Sequence, residues 1–240
     1  MKAQIWLLAA VLLLPDVGAS QSWLNKDYHQ WSEYDCQKLV ADSPWSQTYS
    51  ISQVFIDTTA TAPTDRAREQ NPRIEYLVQF RSAWPVRRAM VRLAQLKAKY
   101  DKLTPEQRKQ FDESTGRFLN VSVKDSVIVH VTFNANVQDD DRELSRYWQN
   151  QTTETLKNFV YLLASGGETI ALTSYVPGRG AAREFQFVFP RQQKGRNIIG
   201  PQDKTIAVEF IHPNIRGQGE KRVYVPFRVE KMMIGGEVLY

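Results

Sequence analysis

The sequence is poor in the residues that cross-link small domains or bind metal ions. Its single cysteine, Cys36, cannot form an internal disulfide, so the stability of the fold must come from a hydrophobic core. The three histidines, His29, His130 and His212, are far apart, and none has a second histidine or a cysteine at ligand spacing. The sequence therefore predicts neither a metal site nor a cofactor.

Motifs that would indicate catalysis are also missing. There is no G-x-S-x-G, and the glycine-rich segments 177–180 and 216–219 lack the Lys-Ser/Thr ending of a phosphate-binding loop. We predict no catalytic residue. Cys36 lies in a helix-like stretch and is expected to be buried. The alternative is that Cys36 meets His130 or His212 in the fold, as in a Cys–His enzyme.

The only long apolar run is at the start of the chain. Residues 5–14 are apolar, Lys2 precedes them, and Pro15 and small residues follow. This is the pattern of a secretory signal peptide, since a bilayer span needs roughly twenty residues. We predict cleavage after Ala19, no transmembrane anchor after processing, and a periplasmic or extracellular location.

The remaining composition is that of a globular protein with a positive charge. Charged residues make up 24% and hydrophobic residues 42% of the chain, and the formal net charge is +5. About 220 mature residues are enough to bury a sizeable core. The positive charge favours encounter with anionic surfaces. Nucleic acid is not expected as a partner, because no binding motif for it is present.

The N-terminal half alternates between helix and strand patterns. Apolar spacing predicts a helix over residues 23–41, strands over 49–57 and 74–81, and a long loop over 58–72. Pro85 begins a predicted amphipathic helix. Thr104, Pro105 and Gln107 form a capping-box start for the next helix, which Gly116 is expected to end.

From Val121 onward apolar residues recur at every second position, which predicts strands. Gly166-Gly167 and Gly235-Gly236 are expected hairpin turns, and Pro226 places its strand at a sheet edge. The fold class is therefore α+β, with a mainly antiparallel β-sandwich in the C-terminal half and an N-terminal helix/strand section. The seven strands also invite an immunoglobulin-like label, although the paired cysteines and strand tryptophan of that fold are absent. The predicted strands cover residues 121–133, 156–163, 168–176, 183–189, 204–211, 222–234 and 237–240.

Two domain arrangements are compatible with these elements. In the first, residues 1–19 are the signal peptide, 20–118 form the helix-containing section, and 119–240 form the β-sandwich. In the second, the two N-terminal strands join the sandwich sheet and the helices between 85 and 114 are an excursion from it.

Two charged segments stand out. Residues 139–141 are consecutive aspartates, which point in different directions; they predict a helix start rather than a calcium loop. The other segment is basic, with Trp84 among its cations, and a basic helix face of this kind suits an anionic partner. The predicted binding residues are Arg81, Arg87, Arg88, Arg92 and Lys99, with Lys97 and Lys102 nearby.

Two stretches carry a resemblance. Asp42-Ser43-Pro44-Trp45 and the segment YLVQFRSAWPVR at residues 76–87 resemble uncharacterised exported proteins of soil bacteria. The resemblance implies a bacterial envelope setting and no activity. Our first hypothesis is an exported, non-catalytic module that binds a protein or an anionic envelope polymer. The alternatives are an extracytoplasmic hydrolase and a structural subunit of an envelope assembly.

Overall fold

The computed structural model describes residues 23–52, 72–120, 123–180, 182–217 and 219–240. The predicted signal peptide with Ala19, residues 53–57 of the first predicted strand, and most of the predicted loop 58–72 lie outside these ranges. Within them the chain forms five α-helices. These are α1 (Glu33–Ala41), α2 (Trp84–Lys97), α3 (Pro105–Leu119), α4 (Gln138–Gln149) and α5 (Thr153–Leu156).

The described strands pair in antiparallel fashion throughout. A five-stranded sheet has the order β1-β2-β3-β7-β6, a four-stranded sheet has the order β11-β10-β4-β5, and β8–β9 and β12–β13 are small hairpins. The strands are β1 (Ser46–Ser52), β2 (Arg73–Phe80), β3 (Ser126–Ala135), β4 (Tyr161–Ala164), β5 (Thr169–Ala171), β6 (Ser174–Pro177), β7 (Glu184–Pro190), β8 (Gln192–Gln193), β9 (Arg196–Asn197), β10 (Thr205–His212), β11 (Lys221–Arg228), β12 (Met233–Ile234) and β13 (Glu237–Val238).

The two larger sheets pack face to face through aromatic side chains. Tyr76 of β2 lies edge-on to Phe210 of β10, with ring centroids 5.2 Å apart, and Phe80 of β2 lies edge-on to Phe227 of β11 at 4.8 Å. All four side chains are buried, because alternate residues of each strand point into the space between the sheets. The predicted α+β class with an antiparallel sandwich is confirmed.

The N-terminal strands belong to the sandwich. β1 and β2 precede residue 118, and β2 pairs with β3 over seven residue pairs from Ile74↔Ala135 to Phe80↔Val129. This is the second of the two arrangements considered above. The helices α2 and α3 lie in the connection between β2 and β3.

The predicted helix over residues 23–41 is wrong in its first half. A 3₁₀ turn covers Tyr28–Gln30, and α1 begins only after Ser32. Ser32 accepts a hydrogen bond from the backbone N–H of Asp35, while the Asp35 carboxylate accepts from the backbone N–H of Ser32. The apolar spacing continues through Ser32, so it does not show that this capping box starts a separate helix.

The predicted end of α3 at Gly116 is also wrong. The Thr104–Gln107 capping box forms as expected, but α3 continues to Leu119, and the carbonyl of Gly116 accepts a hydrogen bond from Asn120 N–H. Glycine ends a helix where it adopts left-handed backbone angles, whereas Gly116 lies inside α3. The Gly166-Gly167 and Gly235-Gly236 turns and the edge position of Pro226 are confirmed.

The predicted strands near residues 156, 168 and 222 are shorter in the structure than in the sequence pattern. Leu156 ends α5 rather than starting a strand, β5 and β6 divide the segment 168–176, and a 3₁₀ turn at Val229–Met232 interrupts the segment 222–234.

Two histidines are buried, His212 between the two sheets and His130 on the other face of β3. The Tyr76 hydroxyl and Nδ1 of His212 share a hydrogen bond of 2.7 Å. His130 of β3 lies with its Nε2 atom 3.3 Å from Oε2 of Glu184 and close to Arg81. Burial lowers the pKa of His212 to about 4 and that of His130 to about 3, because the protonated ring loses its hydration.

We predict that the free energy of unfolding falls as the pH drops below 6.5. The unfolded chain takes up protons on both histidines in this range, whereas the folded chain does not until pH 4 or below. Between pH 6.5 and 5 each histidine should contribute a loss of about 1 to 2 kcal/mol. Urea unfolding at several pH values measures this, and His130→Gln and His212→Gln should each flatten the profile. An unchanged profile in the double variant would contradict the assignment.

Candidate binding cleft

One end of the five-stranded sheet brings three distant chain segments together. β2 ends, β3 begins and β7 ends at this end of the sheet, because neighbouring strands run antiparallel. Hydrogen bonds extend the pairing past the strands: Arg81 N–H donates to Ile128 O at 2.8 Å, and Arg191 N–H donates to Asp125 O at 3.0 Å. The start of α2, residues 123–125 and Arg191 therefore lie side by side.

These segments form the walls of a cleft of about 1160 Å³. The β8–β9 hairpin, residues 199–202 and the segment 236–240 complete its lining. Of the described side chains that line it, four are cationic and only Glu237 is acidic, which leaves the cleft with a positive charge. The four cationic side chains are Arg87, Lys124, Arg191 and Arg196.

Arg191 is held in place by backbone oxygen atoms and an aromatic ring. Its side chain donates to Val123 O at 2.7 Å and to Tyr240 O, and its guanidinium lies 4.4 Å from the centre of the Tyr240 ring. The Tyr240 segment is itself fixed, because Trp45 Nε1 donates to Leu239 O at 2.6 Å. Burial lowers the pKa of Arg191. The arginine is thus positioned before any ligand arrives.

Arg87 projects from α2 into the same cleft and is largely buried. Its Nη1 atom donates to Leu119 O at 2.8 Å, which ties the start of α2 to the end of α3. Burial lowers the pKa of Arg87, and the positive charges of Arg191 and Arg88 lower it further. The mutual repulsion of these groups indicates a positive potential that an anion would relieve.

The predicted basic residues are divided between the cleft and other places. Arg87 lines the cleft, and the exposed Arg88 lies over the ring of Trp84, another lining residue. Arg92 does not line the cleft; it donates to Trp31 O at 3.2 Å and to Gln95.

Arg81 lies beside His130 in the sheet, where burial lowers the arginine's pKa to about 10. Lys99 is exposed at a left-handed position after α2.

Sequence reasoning missed Lys124, Arg191 and Arg196. Lys124 is an isolated cation, whereas Arg191 and Arg196 lie with Lys194 within six residues, apart in sequence from the basic segment around α2. Only the pairing of distant strands brings them to Arg87. The local signal available in the sequence was the group Arg191, Lys194 and Arg196 directly after the strand-ending Pro190.

The aspartate run does open a helix, and two of its members also bind arginines. α4 begins at Gln138, as predicted to within a residue. The buried Asp140 pairs with Arg216, and the buried Asp141 pairs with Arg183 at 2.8 Å. Within the described ranges, no three or more His, Cys, Asp or Glu side chains are grouped to hold a metal ion.

No protein-family model, curated protein or solved structure matches the chain. In the part of the chain that the structure describes, no helix has the length and apolar character needed to span a membrane. The geometry of the cleft is therefore the basis for a functional proposal.

Cys36 is completely buried on α1, as expected. Burial raises the pKa of its thiol to about 11, whereas a catalytic cysteine needs a lowered pKa. Among the described contacts, none joins Cys36 to His130 or His212, and neither Cys36 nor these histidines line the cleft.

We expect the thiol of Cys36 to react slowly in the folded protein. At pH 8 its labelling by a disulfide reagent should be about a hundredfold or more slower than in urea, because little thiolate forms and the sulfur is covered. The rate is measured from the release of the coloured thiol, with Cys36→Ser as the blank. Equal rates with and without urea would show an accessible thiol and would favour the hydrolase alternative.

Arg191 and Arg196 should differ in their effect on stability, although both line the cleft. Arg191→Met removes two hydrogen bonds and the stacking on Tyr240, and we expect a loss of about 2 to 3 kcal/mol in the free energy of unfolding. Arg196 is exposed, so Arg196→Met should change stability by less than about 0.5 kcal/mol. Urea unfolding of both variants provides the test. Similar losses in the two would refute the structural role given to Arg191.

Proposed function

We propose that this chain is an exported, non-catalytic binding protein whose cleft holds an anionic envelope polymer. The observation that carries the proposal is the convergence of four cationic side chains on one cleft with a single acidic side chain in its lining. The N-terminal pattern supports export, and the resemblance to exported proteins of soil bacteria supports an envelope setting.

The chemistry of the cleft suits carboxylate or phosphate groups. A guanidinium presents a planar set of donors that matches both groups, and Arg191 is already held in one orientation. Binding therefore loses little side-chain entropy at this residue. Lys124 and Arg196 are exposed at the rim, where they attract an anion from solution through a field that salt weakens.

A polymer is a better fit than a folded protein partner. Protein interfaces bury a core of large apolar side chains. The large hydrophobic side chains that the described part of the chain exposes lie on other elements and do not line the cleft. These are Tyr34, Phe159, Val176 and Tyr224. A concave, cationic cleft instead suits a narrow, flexible chain with repeated negative charges.

The test reverses the two rim charges. Lys124→Glu with Arg196→Glu should weaken binding to isolated envelope polysaccharide or another immobilised polyanion by roughly tenfold or more at low salt, and the effect should shrink as salt is added. Both side chains are exposed, so the fold should be retained. Binding is measured as the dissociation constant and as the salt concentration needed for elution.

Arg179→Glu with Arg228→Glu is the matched control. It changes the net charge by the same amount, and both residues are exposed and lie outside the cleft lining. The control should bind nearly as well as the unmodified protein. Equal weakening in the two double variants would mean that only total charge matters, and the cleft would lose its assigned role.

A further inference from the structure

An aromatic and a cationic side chain are combined where α2 begins at the cleft. Trp84, the first residue of α2, lines the cleft and is partly exposed. The guanidinium of Arg88, one helical turn further on, lies 4.3 Å from the centre of the Trp84 ring and 5.7 Å from that of Tyr28. The Arg88 side chain is exposed. The cation therefore remains available to solvent while it lies on the rings.

This pair is continuous with the cations inside the cleft. Arg87 follows Trp84 on the same helix turn, and the positive charge of Arg88 is close enough to lower the pKa of Arg87. Trp84 lines the cleft together with Arg87 and Arg191, so a chain bound to these two arginines would also contact Trp84. Asp27 is close enough to interact with the charge of Arg88, but its main partner is His29, which it contacts through a hydrogen bond.

The combination of Trp84 and Arg88 suits one class of polyanion better than others. An acidic sugar has a face of C–H groups that packs on an aromatic side chain. Its carboxylate is attached to the same sugar ring. If its C–H face contacts the exposed part of the Trp84 ring that Arg88 does not cover, the carboxylate is brought within reach of Arg88. An acidic peptide or a polyphosphate has the charge but lacks the rigid apolar face.

We infer that the polymer is an acidic polysaccharide and that Trp84 and Arg88 form a subsite for one of its sugar units at the mouth of the cleft. This inference rests on the proposed function, because it assigns the ligand class of the same cleft.

The experiment compares two carboxylate probes that differ only in scaffold. Oligogalacturonate and oligoglutamate of equal charge are titrated against the protein and against Trp84→Leu and Trp84→Phe. Leu keeps an apolar side chain without a ring, whereas Phe keeps the ring. We expect Trp84→Leu to weaken oligogalacturonate binding by about five- to tenfold and oligoglutamate binding by less than about twofold. Trp84→Phe should retain most of the affinity for oligogalacturonate.

Each outcome has a defined meaning. Equal weakening of both probes by Trp84→Leu, or tighter binding of oligoglutamate by the unmodified protein, would overturn the sugar assignment while leaving an anion-binding cleft. If the Lys124→Glu/Arg196→Glu variant binds both probes as well as the unmodified protein, the proposed function itself fails.

A second measurement does not depend on a tryptophan variant that folds. Methyl-esterified oligogalacturonate has the sugar face without the charge, and at high concentration it should displace oligogalacturonate from the unmodified protein. Absence of displacement would also overturn the inference.

Discussion

The register of β2, β3 and β7 is the constraint on which both the sandwich and the cleft depend. Phe80 pairs with Val129, and Val129 pairs with Phe187, so three buried side chains share one level of the core. A shift of one residue would turn each of them toward solvent. The same shift would move the start of α2 relative to Arg191. Core packing thus determines where the cations of the cleft lie, and the binding geometry needs no separate source of rigidity.

The treatment of arginine differs between the two regions of the fold. Near the start of α4 the chain buries Asp140 and Asp141 and pairs them with Arg216 and Arg183. In the cleft, Arg191 contacts carbonyl oxygen atoms and an aromatic ring instead. These contacts satisfy its N–H groups through main-chain oxygen atoms rather than through an acidic side chain. The fold thus pairs arginines with acidic side chains near α4 but groups cationic side chains together in the cleft. Stability alone does not favour the second arrangement, and such departures are typical of functional sites.

Local sequence signals predicted local structure well. The Thr104–Gln107 capping box and the Gly235-Gly236 turn each depend on residues within one turn, and both form as expected. The break before α1 was missed because apolar spacing continues through Ser32 while its capping hydrogen bonds end the helical path. The cleft could not be predicted from the sequence for a different reason. Arg87 and Arg191 are more than a hundred residues apart, and only a strand pairing that the sequence does not specify locally brings them together.

The titratable groups of the described residues differ between the sandwich and the cleft. General acid–base chemistry needs a group that exchanges protons near neutral pH and touches the ligand. His212 faces the space between the sheets and His130 is buried on the other face of β3, and their lowered pKa values keep them neutral at pH 7. In the described lining of the cleft, the charged groups are arginine, lysine and the exposed Glu237. Arginine holds its proton at neutral pH, so it can orient and neutralise an anion without transferring a proton. These properties of the lining are the chemical basis of the binding role proposed above.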